Sequence, residues 1–141
     1  MAEQRHELTS NPKLIDWILY NLHTMREQIK AIEPKTSTSI VVFSRNTTRN
    51  NTSGVERVAL KRAALSSVID VVELGLRTLH PEHRKVYRMK YRAGMTYKEI
   101  GQRLYVSDKT VERRVEETRT IIGQYLASVD PETLEEFMRF F

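Results

Sequence analysis

The chain has 141 residues, a formal net charge of +5 at pH 7 and 40% hydrophobic residues. This length accommodates one domain, or a small domain with a helical appendage, and supplies enough apolar side chains for a buried core. The absence of cysteine excludes disulfides and thiolate metal sites, and no run of about 18 apolar residues marks a membrane span. The first ten residues lack the basic and then apolar pattern of a secretory signal. We therefore expect a cytoplasmic protein that has no membrane partner.

The first predicted element is an N-terminal helix within residues 1–33. The sequence Ser10-Asn11-Pro12 supplies a cap followed by proline at the first helical position, which is a typical helix start. Apolar residues then recur at helical spacing as far as Pro34, and they form a stripe too broad for a helix that stands alone. We expect this helix to pack on the rest of the chain or on a second copy of it.

Residues 34–53 change in character, because Ser, Thr and Asn dominate and no helical period is visible. We predict a polar linker that is basic through Lys35, Arg45 and Arg49. Two interpretations remain open: a solvated linker with little to bury, or a basic arm that lies along DNA phosphates. Within the segment, the β-prone run at 40–43 is compatible with a small strand or a docked loop.

A second helix, the central scaffold, is predicted at residues 54–78. It is apolar on more than one side, which is typical of a helix buried by several neighbours. A further helix begins at His80 and should end near Gly94, which suits a left-handed C-terminal position. At the end of the chain, residues 128–141 predict a short amphipathic helix.

Residues 79–127 carry the clearest functional pattern. Thr96 and Glu99 form a capping box that opens one short helix, and Ser107 is a good N-cap for a second. Gly101 suits a close approach of the two helices. A short helix, a tight turn and a second helix that buries one face form a helix-turn-helix. The predicted fold class is therefore all-α, with a helical N-terminal scaffold and a C-terminal helix-turn-helix.

The exposed face of the second helix of this pair carries side chains suited to DNA. Residues 79–127 hold eleven Lys or Arg against six Asp or Glu, which favours a polyanionic partner. We assign contacts with base edges to Asp108, Lys109, Glu112 and Arg113. We assign contacts with phosphates to Lys98, Arg103, Ser107, Thr110, Arg114 and Arg119. A merely solvated helix face is the alternative for the base-contacting set.

From Leu79 to Ile122 the sequence resembles region four of bacterial sigma factors and the related sigma-like helix-turn-helix domains. The elements that match are Leu79-x-Pro81, Val86-Tyr87-Arg88-Met89-Lys90-Tyr91, Gly94-Met95-Thr96-Tyr97-Lys98-Glu99-Ile100 and Val106-Ser107-x-x-Thr110-Val111, with Arg114 and Arg119. Such domains often have glycine where this chain has Tyr105, so we expect the turn to be slightly opened. No promoter-melting region is recognisable, which argues against an independent initiator.

The order of elements over the whole chain is similar to that of the RinA/ArpU-like phage transcriptional regulators. The Ser-Asp-Lys-Thr motif at 107–110 resembles the start of their recognition helix, and the Asn-Thr-Ser motif at 51–53 resembles the end of their polar segment. The resemblance implies a sequence-specific regulator that activates late phage or prophage genes in a bacterial host. One recognition helix reads only a few base pairs, so we expect a homo-oligomer on double-stranded DNA.

Two other functions remain open at this point. One is a phage small terminase-like packaging protein, and the other is a sigma-like module that binds host RNA polymerase. No catalytic grouping or phosphate-binding loop is visible, so we expect neither an enzyme nor a cofactor. His80 and His83 lie at a helix start without a third ligand nearby, and we interpret them as capping or surface residues and not as a metal site.

Overall fold

The computed structural model describes residues 9–46 and 50–140, with side chains for residues 9–31 and 54–139. Every regular element in these ranges is helical, which confirms the predicted all-α class. The elements are α1 (Pro12–Asn46), α2 (Asn50–Thr78), α3 (Pro81–Tyr87), a π-helical turn (Arg88–Arg92), α4 (Tyr97–Leu104), α5 (Asp108–Leu126) and α6 (Pro131–Phe140). Within the described ranges, no helix combines the length and the apolar character that crossing a bilayer requires.

The chain divides into two compact units. The first unit contains the described residues up to Asn21 together with Val71–Ser128, and so includes the start of α1, the end of α2 and the whole helix-turn-helix. The second unit contains Leu22–Asp70 and the described residues from Val129 onwards. The start of α1 therefore belongs to the same compact unit as the helix-turn-helix.

The helix-turn-helix has a small core of its own. Val86 from α3, Ile100 from α4, and Val111 and Val115 from α5 are fully buried in one cluster. Partly buried side chains surround this cluster: Met89, Met95, Tyr97, Leu104 and Val106. Burying one aliphatic side chain of this size contributes about 1.5–3 kcal/mol, so the cluster is a main reason why the three helices keep a fixed arrangement.

The start of α1 and the end of α2 pack against the C-terminal half of α5. A Cβ atom at Gly75 of α2 would lie 3.0 Å from side-chain atoms of Ile122 and Tyr125. A Cβ atom at Gly123 of α5 would lie 3.4 Å from the Ile15 side chain of α1. The C-terminal half of α5 therefore packs against α1 and α2, whereas its N-terminal half packs by one face on α3 and α4 and leaves the other face exposed.

In the second unit, buried side chains come from α1, from α2, from α6 and from the residue Val129 before α6. The buried side chains are Leu22, Met25, Ala64, Leu65, Val68, Ile69, Val129, Leu134 and Phe137. Apolar residues from both sides of α2 are buried, such as Leu65 and Ile69 on one side and Ala64 and Val68 on the other, whereas Leu60 and Leu74 remain 49% and 48% exposed.

The backbone of α1 continues to Asn46, past Pro34, where the sequence predicted the start of a polar linker. The run at 40–43 is helical, so the expectation of a strand or loop there is wrong. A proline removes one backbone donor, but a helix can continue past it with a local distortion. The side chains of Arg45 and Arg49 lie outside the described residues, and both interpretations of this segment stay predictions.

Candidate nucleic-acid interface

Local hydrogen bonds define the starts of both helices of the helix-turn-helix. Thr96 Oγ1 accepts from the Glu99 backbone N–H at 3.2 Å, while the Glu99 carboxylate accepts from the Thr96 N–H at 3.4 Å. This arrangement confirms the predicted capping box. Ser107 Oγ accepts from the Thr110 N–H at 3.2 Å and caps α5 as predicted. Each such cap stabilises its helix by about 1 kcal/mol, and together they fix where α5 begins.

The turn between α4 and α5 is tight and left-handed. Tyr105 has φ 57° and ψ 42°, and its N–H donates to the Gly101 carbonyl. The Val106 N–H donates to the same carbonyl at 2.9 Å. The turn is therefore closed, and the opening expected at Tyr105 is wrong, because the tyrosine adopts the left-handed conformation at a cost of about 1–2 kcal/mol.

Gly101 is required by the closeness of this turn, as its position in the sequence indicated. A Cβ atom on Gly101 would lie 2.8 Å from the Val106 carbonyl oxygen and 3.3 Å from Asp108 Oδ1. The first distance is shorter than real Cβ contacts allow. The atom that the Cβ would meet belongs to the backbone, which cannot move aside as a flexible side chain can. Only glycine permits α5 to start so close to α4.

The first turns of α5 present every side chain that we assigned to base edges. All four are exposed: Asp108, Lys109, Glu112 and Arg113. The opposite face carries Val111 and Val115, which are fully buried. Arg113 Nε lies 3.4 Å from Glu117 Oε1, but both side chains are exposed and such pairs are weak. A partner can therefore reach this face without disturbing the core beneath it.

The residues assigned to phosphates are less uniform in their surroundings. Three of them are exposed: Lys98, Arg103 and Ser107. Thr110 is half-buried, and its hydroxyl lies 3.0 Å from that of Ser107. Arg114 is 17% exposed and forms an ion pair with Glu82 at 3.8 Å, while its buried Nε has no hydrogen bond. The first three can meet a phosphate as they stand, whereas Arg114 has only part of its guanidinium available.

Arg119 is engaged inside the protein. Its Nε and Nη2 each donate to the Asp16 carboxylate at 2.8 Å, and the Tyr91 hydroxyl donates to the same carboxylate. The side chains of Arg119 and Asp16 are only 20% and 24% exposed. The cluster joins α1, the π-helical turn and α5. It engages Nε and Nη2 of the guanidinium that the sequence alone suggested for a phosphate contact.

The protonation of this cluster is strongly fixed. Burial raises the pKa of the Tyr91 hydroxyl, and its hydrogen bond to Asp16 raises the pKa further. Burial disfavours the charged form of Arg119, but the hydrogen bonds to Asp16 outweigh it, so the pKa of Arg119 is raised. Tyr91 therefore remains neutral and Arg119 remains cationic into the alkaline range, which makes the cluster a stable tie between α1 and α5.

A second cluster that the sequence did not predict surrounds Lys90 in the π-helical turn. Its Nζ lies 5.2, 5.1 and 5.2 Å from the ring centroids of Tyr20, Tyr91 and Tyr97. It also donates to the Tyr20 hydroxyl at 2.8 Å. Each cation–π contact contributes about 0.5–2 kcal/mol. One lysine thus links α1 to the first residue of α4, and its charge stabilises the packing of these helices.

The two histidines at the start of α3 have separate partners. The His80 side chain accepts from the Glu82 N–H and caps α3, as interpreted from the sequence. His83 Nε2 lies 2.7 Å from Glu117 Oε2 on α5. Among the side chains that the structure describes, no three His, Asp or Glu are placed to hold a metal ion.

Residues 70–120 match the family model described as Sigma-70, region 4. The match spans about a third of the chain and includes α3, α4 and the first part of α5. It supports a sigma-like helix-turn-helix and a DNA-binding role in transcription regulation for this segment. Searches among curated proteins and among solved structures gave no match.

Proposed function

We propose that this chain is a sequence-specific transcriptional regulator that inserts the N-terminal end of α5 into the major groove of double-stranded DNA. The observation that carries the proposal is the exposed set at the start of α5, above a fully buried opposite face. The set is Asp108, Lys109, Glu112 and Arg113. Lys and Arg can pair with guanine, and Glu can accept from cytosine. The match to Sigma-70, region 4 favours a regulator over a terminase-like packaging protein.

In this proposal the backbone of the DNA is held from both sides of the turn. Lys98 and Arg103 on α4 meet one stretch of phosphates, and Ser107 meets the phosphate nearest the helix start. Thr110 and Arg114 supply the contacts along α5. Arg119 would have to break its bidentate bond with Asp16 to reach DNA, so we propose a structural role for it.

We further propose that two or more copies act together in the bacterial cytoplasm, activating phage or prophage genes alongside host RNA polymerase. The activating role and the phage setting are supported by the similarity in element order, and multiplicity by the few base pairs that one helix can read. Exposed apolar side chains such as Leu60 and Leu74 supply surface for self-association. Light scattering that shows a monomer at micromolar concentration, both free and on DNA, would refute the oligomer.

The test is selection of bound fragments from a random DNA pool, followed by titration of the selected duplex. Lys109→Ala combined with Arg113→Ala should weaken specific binding by about 1–3 kcal/mol for each base whose recognition is removed. Binding should also weaken with salt, with a log–log slope of about −0.9 per phosphate neutralised. Arg57→Ala is the matched control, since it removes an exposed cation from α2 and should leave binding unchanged.

Two results would contradict the proposal in different ways. If the folded wild-type protein enriches no common sequence, the sequence-specific function is wrong. If a sequence is enriched but the Lys109 and Arg113 substitutions leave its affinity unchanged, the function survives and the assigned base contacts are wrong.

A further inference from the structure

Tyr105 combines two features that a residue in a tight turn does not need. Its backbone is left-handed, which is uncommon for a bulky residue. Its side chain is 94% exposed, about twice the exposure of any other large hydrophobic residue in the described part of the chain. Its hydroxyl has no hydrogen-bond partner among the described residues. Strained residues of this kind cluster at binding and active sites.

The position of Tyr105 restricts what its ring can meet. It lies two residues before Ser107, the N-cap of α5. Because α5 is proposed to enter the major groove by its N-terminal end, the residues just before that end lie at the rim of the groove, next to a sugar-phosphate strand. Arg103 and Lys109 flank Tyr105 in sequence and are both exposed, so the surroundings attract a polyanion.

The chemistry of the phenol fits that strand. A tyrosine hydroxyl can donate to a phosphate oxygen, which is one of the common contacts with the DNA backbone. The ring offers an apolar face that can pack against a deoxyribose while its polar end remains wet. Because the ring contacts nothing that it must leave, such a contact disturbs no packing within the protein.

We propose that Tyr105 is a DNA-backbone contact, in which its hydroxyl donates to a phosphate and its ring packs on the adjoining sugar. The inference rests on the proposed function and deepens it. It assigns an uncharged contact to a turn where glycine would suffice for the backbone. The left-handed conformation directs the side chain away from the core and into solvent, where the strand is expected.

Two substitutions separate this contact from folding. Tyr105→Gly removes the side chain and also relieves the left-handed backbone, so the variant should be folded, with a Tm no lower than that of the wild type. Tyr105→Phe keeps the ring and removes only the hydroxyl. Affinities are measured by titration, at several salt concentrations, on the duplex selected from the random pool and on a scrambled duplex of the same composition.

The expected result is weaker binding to both duplexes. Tyr105→Phe should bind about three- to tenfold more weakly, which is the typical net effect of one lost hydrogen bond at an exposed site where water competes for the phosphate. Tyr105→Gly should bind about ten- to a hundredfold more weakly, because it also cannot pack on the sugar. The ratio of specific to scrambled affinity should not change, since backbone contacts carry no sequence information. The salt slope should also not change, because tyrosine neutralises no phosphate.

Two control variants frame these measurements. Lys98→Ala removes an exposed cation assigned to a phosphate and should reduce the salt slope. Arg57→Ala removes an exposed cation from α2, outside the helix-turn-helix, and should leave both affinities unchanged.

Several results would overturn the proposal. Affinities of Tyr105→Gly within twofold of wild type would show that no contact exists. Weaker binding confined to the selected duplex would place the ring on a base. If a Tyr105 variant bound DNA like the wild type but no longer activated RNA polymerase, Tyr105 would be a contact with a protein and not with DNA. A lowered Tm in the glycine variant would contradict the strain argument. If the wild type binds no duplex, the proposed function itself fails, and this inference fails with it.

Discussion

The cluster of Asp16, Arg119 and Tyr91 predicts that the first helix is needed for the stability of the DNA-binding unit. Asp16→Ala removes the acceptor for two donors of Arg119 at 2.8 Å and for the Tyr91 hydroxyl. Each hydrogen bond to a charged group contributes about 1.5–3 kcal/mol when it is fully buried. The two side chains of the ion pair are 20% and 24% exposed. Water therefore competes for their hydrogen bonds and lowers the stabilisation that each bond contributes. We expect the free energy of unfolding to fall by about 2–4 kcal/mol, between the values for exposed and buried pairs.

Urea unfolding followed by circular dichroism measures this change directly. At this chain length the change corresponds to a Tm lower by roughly 6–12 °C. Glu27→Ala is the matched control, because it removes a carboxylate from the same helix whose ion pair with Lys30 is exposed. It should cost less than about 0.5 kcal/mol. A double-mutant cycle of Asp16→Ala with Arg119→Met isolates the pair, and the expected coupling is about 1.5–3 kcal/mol.

One contrary result would be that Asp16→Ala destabilises the protein no more than Glu27→Ala does. The other would be that the effects of Asp16→Ala and Arg119→Met are additive. Either result would mean that the two side chains are close without holding α1 to α5.

Three further predictions concern the same unit. Folding raises the pKa of the Tyr91 hydroxyl. The contribution of Tyr91 to stability is therefore complete below about pH 10 and declines above it by up to about 1.4 kcal/mol per pH unit. Tyr91→Phe should abolish this decline in urea unfolding measured at alkaline pH. Gly101→Ala places a Cβ 2.8 Å from the Val106 carbonyl oxygen and should lower the free energy of unfolding by about 2–3 kcal/mol. Its control, Gly94→Ala, meets open space at φ 68° and should lower it by about 1 kcal/mol. Equal destabilisation by the two substitutions would contradict the close packing at Gly101. Thr96→Ala should cost about 1 kcal/mol because the cap is removed, and Thr96→Ser should cost much less; equal melting curves for the two would contradict this.

The helix-turn-helix was predictable because its geometry is decided between near neighbours. Thr96 and Glu99 are three residues apart, as are Ser107 and Thr110, and each pair forms its cap locally. Once the start of α5 is fixed, helical periodicity alone determines which of its side chains are exposed. The exposure of the four side chains after Ser107 that we propose as base contacts therefore required no knowledge of the rest of the fold.

The contacts between distant residues could not be predicted in this way. Asp16 and Arg119 are 103 residues apart, and Tyr20 and Lys90 are 70 apart. A charged residue on a helix face is usually solvated, and nothing in its immediate sequence shows that another helix will meet it. For this reason the local pattern indicates a phosphate contact for Arg119. Pro34 is a local signal, and it predicted the end of the first helix. The loss of one backbone donor does not end that helix, which continues to Asn46.

The distance along the chain between Asp16 and Arg119 also determines the order in which the molecule is completed during synthesis. The core of α3, α4 and α5 needs residues within about 30 positions of one another, whereas the tie to α1 closes a loop of 103 residues. Closing the longer loop costs more conformational entropy, so we expect this contact to form after the core of the helix-turn-helix. At about 5–20 residues per second, α1 waits roughly 5–20 s after translation of Asp16 before its partner on α5 exists. During that interval Ile15, whose side chain lies beside Gly123 of α5 in the folded protein, lacks this packing partner.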